Sequence, residues 1–201
     1  MAGKQHKKRK YMIYVVDDFL EQSYYDFYSY TIQNNENTEV VMGEKSFYVQ
    51  KADEDFVEVV CKLLSEKENK TIQPILSFFR CATDKLDNDL RIHSDYIIEG
   101  VKPDRACVLY MSKSEIEGLN GTAFWEHEYY GQKLPDHVSH EEFDRMIVED
   151  SNDIEKWKLK SVIGNNENRL ISYPSNYFHS KYPATAWEKG RYVFVMFYKT
   201  I

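Results

Sequence analysis

The sequence predicts a mainly β fold with helices near its N-terminus (α+β), closed into a double sheet, with a jelly roll as the leading candidate. Two observations lead to this expectation. Helical periodicity is confined to the first third of the chain, whereas short apolar runs separated by turn-forming residues fill the rest. Aromatic residues make up 15% of the 201 residues, and such side chains pack well on a pleated sheet.

Composition restricts the classes of function. Hydrophobic residues make up 42% and charged residues 29%, which is typical of a globular chain, and we expect one domain over residues 1–201. A net charge of -7 argues against nucleic acid as a partner, because duplex binding depends on neutralising phosphates. No run approaches the roughly 20 apolar residues of a membrane span, so no membrane partner is expected.

Cysteine usage and the N-terminal residues indicate the compartment. Cys61, Cys81 and Cys107 are widely spaced and odd in number, which fits a reducing compartment better than a disulfide framework. Residues 1–10 are basic but no apolar segment follows them, so we interpret them as a flexible basic tail rather than a secretory signal. A soluble, cytoplasmic protein is therefore expected.

Residues 11–71 are predicted to form a helical support region. Tyr11 to Val16 is a short strand-like run, and Asp17 and Asp18 then offer capping oxygens for a helix beginning near Phe19. Apolar residues recur at helical spacing from about Asp53 to Lys67, which indicates an amphipathic helix.

Residues 72–201 carry the β pattern. Short apolar runs, most of them separated by Gly or Pro, are the predicted strands. They are Ile75 to Cys81, Leu90 to Ile98, Ala106 to Met111, Thr122 to His127, Leu159 to Ile163, Leu170 to Tyr173 and Tyr192 to Tyr198. An acidic, helix-leaning stretch at about 131–156 interrupts them, and we interpret it as an insertion between strands.

His93 and Asp95 are a candidate pair of metal ligands. Alternate side chains of a strand share a face, so the imidazole and the carboxylate would point the same way, roughly 7 Å apart at the backbone. A third ligand must come from another strand, and the best candidate is His179. Two histidines and one carboxylate leave coordination positions open, which is the ligand set of non-haem iron(II) oxygenases.

Arg191 is a candidate anchor for an anionic ligand. It lies twelve residues after His179, at the start of an apolar strand, and the intervening residues can form the turn that brings the two strands together. A guanidinium inside a barrel mouth is costly unless it meets a carboxylate, and its planar fork suits bidentate binding of one.

The order of these candidates along the chain is His93-x-Asp95, then His179, then Arg191. With this order the sequence resembles the 2-oxoglutarate/iron(II)-dependent oxygenase superfamily, particularly its prolyl-hydroxylase-like branch. The similarity runs from about Ile75 to Lys199. It rests on His93-x-Asp95, the strand Val108 to Ser112, Gly118-x-x-Gly121-Thr122-x-Phe124, Asn168-Arg169-Leu170, Phe178-His179-Ser180 and Gly190-Arg191, with Val15 to Leu20 as a lead-in.

The resemblance implies a cupin-like double-stranded β-helix with iron(II) bound by the two histidines and the aspartate. It also implies that Arg191 binds the distal carboxylate of 2-oxoglutarate. The family often has a hydroxyl residue two places after this Arg, but Val193 stands here, so Tyr110 or Thr122 is expected to supply a second hydrogen bond. His127 and Trp125 are candidate substrate contacts near the mouth.

The implied reaction is hydroxylation of a peptide or an amino-acid-like or other small substrate. It consumes dioxygen and releases succinate and CO2, with ascorbate as an auxiliary reductant. The acidic insertion is expected to form a lid over the mouth and to favour a neutral or basic substrate. The alternative is that this stretch forms a solvated excursion at the far end of the barrel.

Two other classes of function stay open. A cupin-type hydrolase or isomerase could use the same ligands with zinc or manganese, but it would not need Arg191 after the distal ligand. A non-catalytic β-sandwich binding module would make the histidines coincidental. Metal analysis distinguishes the three classes.

Overall fold

The computed structural model describes residues 13–42, 45–116, 119–185 and 187–201. The helices are α1 (Gln22–Asn34), α2 (Glu54–Glu68) and α3 (His140–Asp150). The strands are β1 (Tyr14–Val16), β2 (Thr38–Met42), β3 (Lys45–Lys51), β4 (Ile72–Ala82), β5 (Arg105–Tyr110), β6 (Gly121–His127), β7 (Trp157–Gly164), β8 (Leu170–Pro174), β9 (His179–Tyr182) and β10 (Arg191–Thr200). The predicted mainly β architecture is confirmed. Among the described helices, none combines the length and apolar character that crossing a membrane requires.

The strands form two antiparallel sheets that pack against each other. The larger sheet has the order β1-β8-β5-β10-β4-β3-β2, and the smaller has the order β7-β6-β9. The central strand β10 pairs with β4 on one side and β5 on the other. Contact between the sheets includes the rings of Phe124 on β6 and Tyr173 on β8, whose centroids lie 5.2 Å apart. The interior between the two sheets holds the candidate site.

Strand β10 shows why the large sheet is buried on both faces. Phe194 and Met196 pack with α1 and α2 on the outer face, whereas Val193 and Val195 face the smaller sheet. A strand covered on both sides is expected to be apolar without alternation. This is what the run Tyr192 to Tyr198 shows.

Helix α2 forms where periodicity predicts it. Asp53 caps its start by accepting a hydrogen bond from the Phe56 N–H at 2.8 Å, and Asn69 ends it in the left-handed conformation. Phe56, Val60 and Leu64 are buried against the large sheet.

Helix α1 begins later than predicted. It starts at Gln22, and Glu21 rather than Asp17 or Asp18 caps it, through a hydrogen bond from the Tyr24 N–H. The delay has a structural cause. The N–H groups of Phe19 and Leu20 donate to the backbone and side-chain oxygens of Asn168, so these two residues are held outside the helix.

The prediction of a strand from Leu90 to Ile98 is wrong. The described structure has only single-residue bridges there, between His93 and His179 and between Ile98 and Val101. The Ile92 N–H bonds to Ser151, the His93 N–H to His179 and the Asp95 N–H to Ser175. Because these partners lie just after α3, in β9 and just after β8, the segment cannot pair with one neighbouring strand.

Three further regions complete the comparison with the sequence. Thr38–Met42 and Lys45–Lys51 form the antiparallel pair β2–β3, which extends the large sheet beside β4 and is not expected in a helical support region. Between β6 and β7 lies the acidic stretch, which contains α3 as its helix-leaning composition indicates. The expected tail at residues 1–10 lies outside the described residues.

Candidate metal centre

The three predicted ligands converge on one point. Nε2 of His93 lies 3.7 Å from Oδ1 of Asp95, and Nε2 of His179 lies 3.6 Å from Oδ2 of the same carboxylate. All three donor atoms lie within 4.8 Å of one another. Small side-chain rotations would bring each to about 2 Å from a common ion.

The backbone fixes this convergence although no strand carries His93 and Asp95. His93 and His179 exchange two hydrogen bonds, of 3.0 and 2.8 Å, which hold the two ligand segments side by side. The Asp95 N–H donates to the Ser175 carbonyl at 2.8 Å. These bonds place the imidazoles close together, with ring centroids 4.5 Å apart.

Each imidazole has its other ring nitrogen bound to a backbone carbonyl. Nδ1 of His93 lies 2.7 Å from the Arg91 oxygen, and Nδ1 of His179 lies 3.0 Å from the Tyr177 oxygen. A carbonyl can only accept, so we assign the proton of each neutral ring to Nδ1. This leaves both Nε2 lone pairs directed at the carboxylate, which is the arrangement that orients histidines as metal ligands.

The electrostatics of the cluster favour a bound cation. Asp95 is buried, and its Oδ2 has no hydrogen-bond partner among the described residues. Burial raises the pKa of this carboxyl, and burial together with His179 holds the pKa of His93 well below its usual range. Lone pairs and a buried carboxylate facing one another are costly alone, but they fit a divalent metal ion.

Arg191 lies in the same cavity as the three ligands. This cavity has a volume of about 80 Å³ and lies between the two sheets. The Arg191 side chain is buried and its Nη2 lies 3.3 Å from Oγ1 of Thr122, while its Nε has no partner. Among the described ion pairs none involves Arg191, and burial lowers its pKa. A buried, unpaired guanidinium facing a cavity calls for an anionic ligand.

Tyr110 and Thr122 meet beside this guanidinium. The Tyr110 hydroxyl lies 2.8 Å from Oγ1 of Thr122, and Arg191 lies 5.3 Å from the centre of the Tyr110 ring. Glycines precede two of the three residues. At Gly121 (φ +136°) a Cβ would lie 2.0 Å from the Ile163 oxygen, and at Gly190 (φ +97°) it would lie 2.6 Å from a cysteine sulfur.

Comparison of the sequence with protein-family models and with curated proteins finds no match. Solved structures do match. HygX from Streptomyces hygroscopicus, with nickel, 2-oxoglutarate and hygromycin B bound, gives a TM-score of 0.60 at 12% identity, covering 94% of this chain and 83% of its own. A prolyl-4-hydroxylase from Pseudomonas putida gives 0.56 at 10% identity, covering 94% and 92%. The epimerase SnoN, in complex with Fe3+, α-ketoglutarate and nogalamycin RO, gives 0.60 at 11%, covering 95% and 80%.

The chain has the fold of these solved structures. Because the sequence identities are only 10–12%, the likeness concerns the fold alone. The roles of individual residues rest on the geometry described above. The predicted jelly-roll resemblance is thereby supported at the level of the fold. The same fold carries a hydroxylase and an epimerase, so the fold alone does not decide the reaction.

His127 and Trp125, expected near the substrate, do not line the metal cavity. His127 is buried, and its Nε2 lies 3.2 Å from Oδ2 of Asp150. Its ring packs against Trp157, with centroids 4.6 Å apart. The Trp125 indole N–H donates to the Ser180 hydroxyl at 2.9 Å, and its ring lies in the apolar cluster beneath α3. This geometry favours a structural role for both side chains.

The cavity contains charged residues that are not among the site residues expected from the sequence. These are Arg80, Asp87, Arg91 and Lys181. A signal exists for Lys181, which lies two residues after His179 on β9 and therefore on the same face. It also exists for Arg80, which lies two residues after Phe78 on β4 and therefore on the same face. Arg91 has none, because a left-handed backbone (φ 44°) sets its direction.

The acidic stretch at 131–156 supports the metal-ligand segment from behind. Leu134, Val138 and Met146 are buried in one apolar cluster with Ile92. The Ser151 carbonyl accepts from the Ile92 N–H at 2.8 Å. Among the described residues that line the metal cavity, none comes from this stretch. A lid over the mouth is therefore not the arrangement seen.

Proposed function

We propose that the protein is an iron(II)- and 2-oxoglutarate-dependent oxygenase. The observation that carries this proposal is the presence of two complementary sites in one cavity: the His93, Asp95 and His179 donors and the buried, unpaired guanidinium of Arg191. A metal bound by three side chains keeps positions open for a chelating acid and dioxygen. A cation nearby fits the second carboxylate of that acid.

The residues would divide the work as follows. His93, Asp95 and His179 hold iron(II), and Arg191 binds the distal carboxylate of 2-oxoglutarate, with the Thr122 and Tyr110 hydroxyls beside it. When bound, iron and 2-oxoglutarate supply oxidising power from dioxygen, with succinate and CO2 as products. The apolar walls formed by Val108, Val193, Val195 and Phe197 exclude water from this chemistry.

The geometry favours this class over the two alternatives. A cupin-type hydrolase needs the metal ligands but has no use for a buried cation without an anion beside it. A binding module needs neither the convergent lone pairs nor the unpartnered carboxylate oxygen of Asp95. Both features together are costly to the fold, and they are explained by ligands that neutralise them.

Within this class we propose hydroxylation of a small molecule or a peptide. Structures of the same fold include a prolyl-4-hydroxylase and HygX with hygromycin B bound. These two structures support a proposal that includes both peptides and small molecules as substrates. Ascorbate would act as an auxiliary reductant outside the reaction itself.

The test is anaerobic loading of the full chain with iron(II) and 2-oxoglutarate, followed by exposure to dioxygen and measurement of succinate. We expect one iron per chain and slow formation of succinate without added substrate. Asp95→Ala and His179→Ala should lose both, and the exposed His137→Ala is the matched control that should keep both. Tight iron binding by the Asp95→Ala protein, or no 2-oxoglutarate binding by the wild type, would contradict the proposal.

A further inference from the structure

Three cationic side chains besides Arg191 line the metal cavity. These are Arg80 on β4, Arg91 before the ligand pair and Lys181 on β9. Their side chains are 25%, 17% and 6% exposed, so each is largely withdrawn from water. We call these three residues the cationic rim. Burying like charges together is unfavourable unless anions lie nearby.

The carboxylates of the protein offset only part of this charge. Oδ2 of Asp87 accepts from Nε of Arg80 at 3.1 Å, and its Oδ1 lies 3.6 Å from Nζ of Lys181. Asp89 lies 3.8 Å from Nε of Arg91. Among the described residues, two carboxylates therefore face these three cations.

The other charged residues that line the cavity do not remove the surplus of positive charge. These are Asp95 and Arg191, one carboxylate and one cation. A divalent metal and the dianion 2-oxoglutarate add equal and opposite charges. The loaded cavity would thus retain one positive charge, located at the rim.

Arg91 is the rim residue best placed to use that charge. Its Nη2 is buried and has no hydrogen-bond partner among the described residues. Its guanidinium lies 4.3 Å from the centre of the Phe47 ring, and that of Arg80 lies 4.7 Å from the same ring. One aromatic ring thus holds two guanidinium groups in place at the cavity, and ordered donors bind an anion at low entropic cost.

We propose that the cationic rim binds an anionic group of the substrate, a carboxylate or a phosphate, and that the substrate of this oxygenase is therefore an acid. That the bound anion is a substrate rests on the proposed function, whereas the three cations of the rim are a feature of the cavity itself. It replaces the expectation of a neutral or basic substrate, which depends on an acidic lid. That acidic stretch does not line the cavity.

Anion binding can be measured without a known substrate. The full chain is loaded with nickel, which blocks turnover, and with saturating 2-oxoglutarate. Acetate and inorganic phosphate are then titrated by calorimetry, with acetamide and trimethyl phosphate as neutral controls. We expect the anions alone to bind. Arg91→Gln should weaken this binding by about tenfold, since it removes a charge-assisted contact. The exposed Arg145→Gln on α3 should leave it unchanged.

The possible results of this experiment distinguish a failure of the anion-binding inference from a failure of the proposed oxygenase function. Anion binding that is equal in wild type and Arg91→Gln would place the anion on the metal or elsewhere, and this would overturn the inference. If 2-oxoglutarate fails to bind but phosphate binding still depends on Arg91, the proposed function fails and the rim stands. If succinate forms but no Arg91-dependent anion binding occurs, the rim inference fails alone.

The two sources of negative charge are distinguished in the substrate screen. Succinate release is compared within matched pairs, carboxylic acids against their amides and phosphate monoesters against their parent alcohols. We expect only the charged member of a pair to accelerate release, and only in protein that has Arg91. Stimulation by the neutral members to an equal extent would contradict the proposal.

Discussion

Replacing Arg191 by Met should make the ligand-free protein more stable. The Arg191 side chain is 6% exposed, makes none of the described ion pairs and leaves Nε without a partner. In the ligand-free protein, the free-energy cost of burying this charge is therefore not offset by an ion pair with a carboxylate. Met has a similar shape and no charge, so Arg191→Met should raise the free energy of unfolding by roughly 1–3 kcal/mol. For a chain of 201 residues this corresponds to roughly 2–12 °C in Tm.

Arg105 provides a control in which the same substitution should have the opposite sign. It is 5% exposed, and its Nε lies 3.2 Å from Oε1 of the buried Glu68. The Glu68 carboxylate also accepts from the Tyr198 hydroxyl at 2.6 Å. Arg105→Met would leave this carboxylate buried without its cation, so we expect a loss of roughly 3–5 kcal/mol.

Both effects are measured by thermal and denaturant unfolding with and without 2-oxoglutarate, in the presence of nickel. At a hundred times its Kd the cosubstrate should stabilise the wild type by about 2.7 kcal/mol. It should not stabilise Arg191→Met. The reasoning is refuted if Arg191→Met is less stable than wild type without ligand, or if it is still stabilised by 2-oxoglutarate.

Three further predictions concern the surroundings of the site. Asn152→Ala should weaken nickel affinity while leaving the far-ultraviolet circular dichroism unchanged. The reason is that the Asn152 side chain accepts a hydrogen bond from the Arg91 N–H and donates one to Asp89. Unchanged nickel affinity would exclude this positioning role. His127→Gln should lose less stability than wild type between pH 7.5 and 5.5 in denaturant unfolding. Burial lowers the pKa of His127, so the unfolded chain takes up a proton first as the pH falls. Met146→Ala should cost roughly 2–5 kcal/mol in the same assay if α3 belongs to the core, and a near-zero cost would make it a surface excursion.

Elements with local signals could be predicted from the sequence. The apolar residues that repeat at helical spacing in α2 follow directly after the capping residue Asp53, and the structure shows both the helix and its cap. The strand from Tyr192 to Tyr198 is apolar on both faces and forms the centre of the large sheet. The ligand set could also be predicted, because residue types and their order suffice to propose it. The structure brings His93, Asp95 and His179 together as expected.

Features set by distant partners could not be predicted. The segment around His93 has the composition of a strand, but its N–H groups bond to carbonyls of Ser151, Ser175 and His179, far along the chain. Pairing of this kind leaves no period in the local sequence. The late start of α1 has the same origin, since Asn168 holds Phe19 and Leu20.

The acidic stretch at 131–156 shows how composition can mislead about position. Its many carboxylates indicate exposure to solvent, and several are indeed exposed, but exposure does not say what the opposite side contacts. On that side Met146 and Val138 are buried, and Tyr96, one residue after a metal ligand, donates to the Val138 carbonyl at 3.1 Å. The stretch thus contacts both ends of the ligand segment, at Ile92 and at Tyr96. Since that segment lacks a neighbouring strand, the stretch takes over the positioning that a strand would provide. Deletion of residues 136–153 should therefore weaken metal binding itself, whereas a lid would affect only coupled turnover.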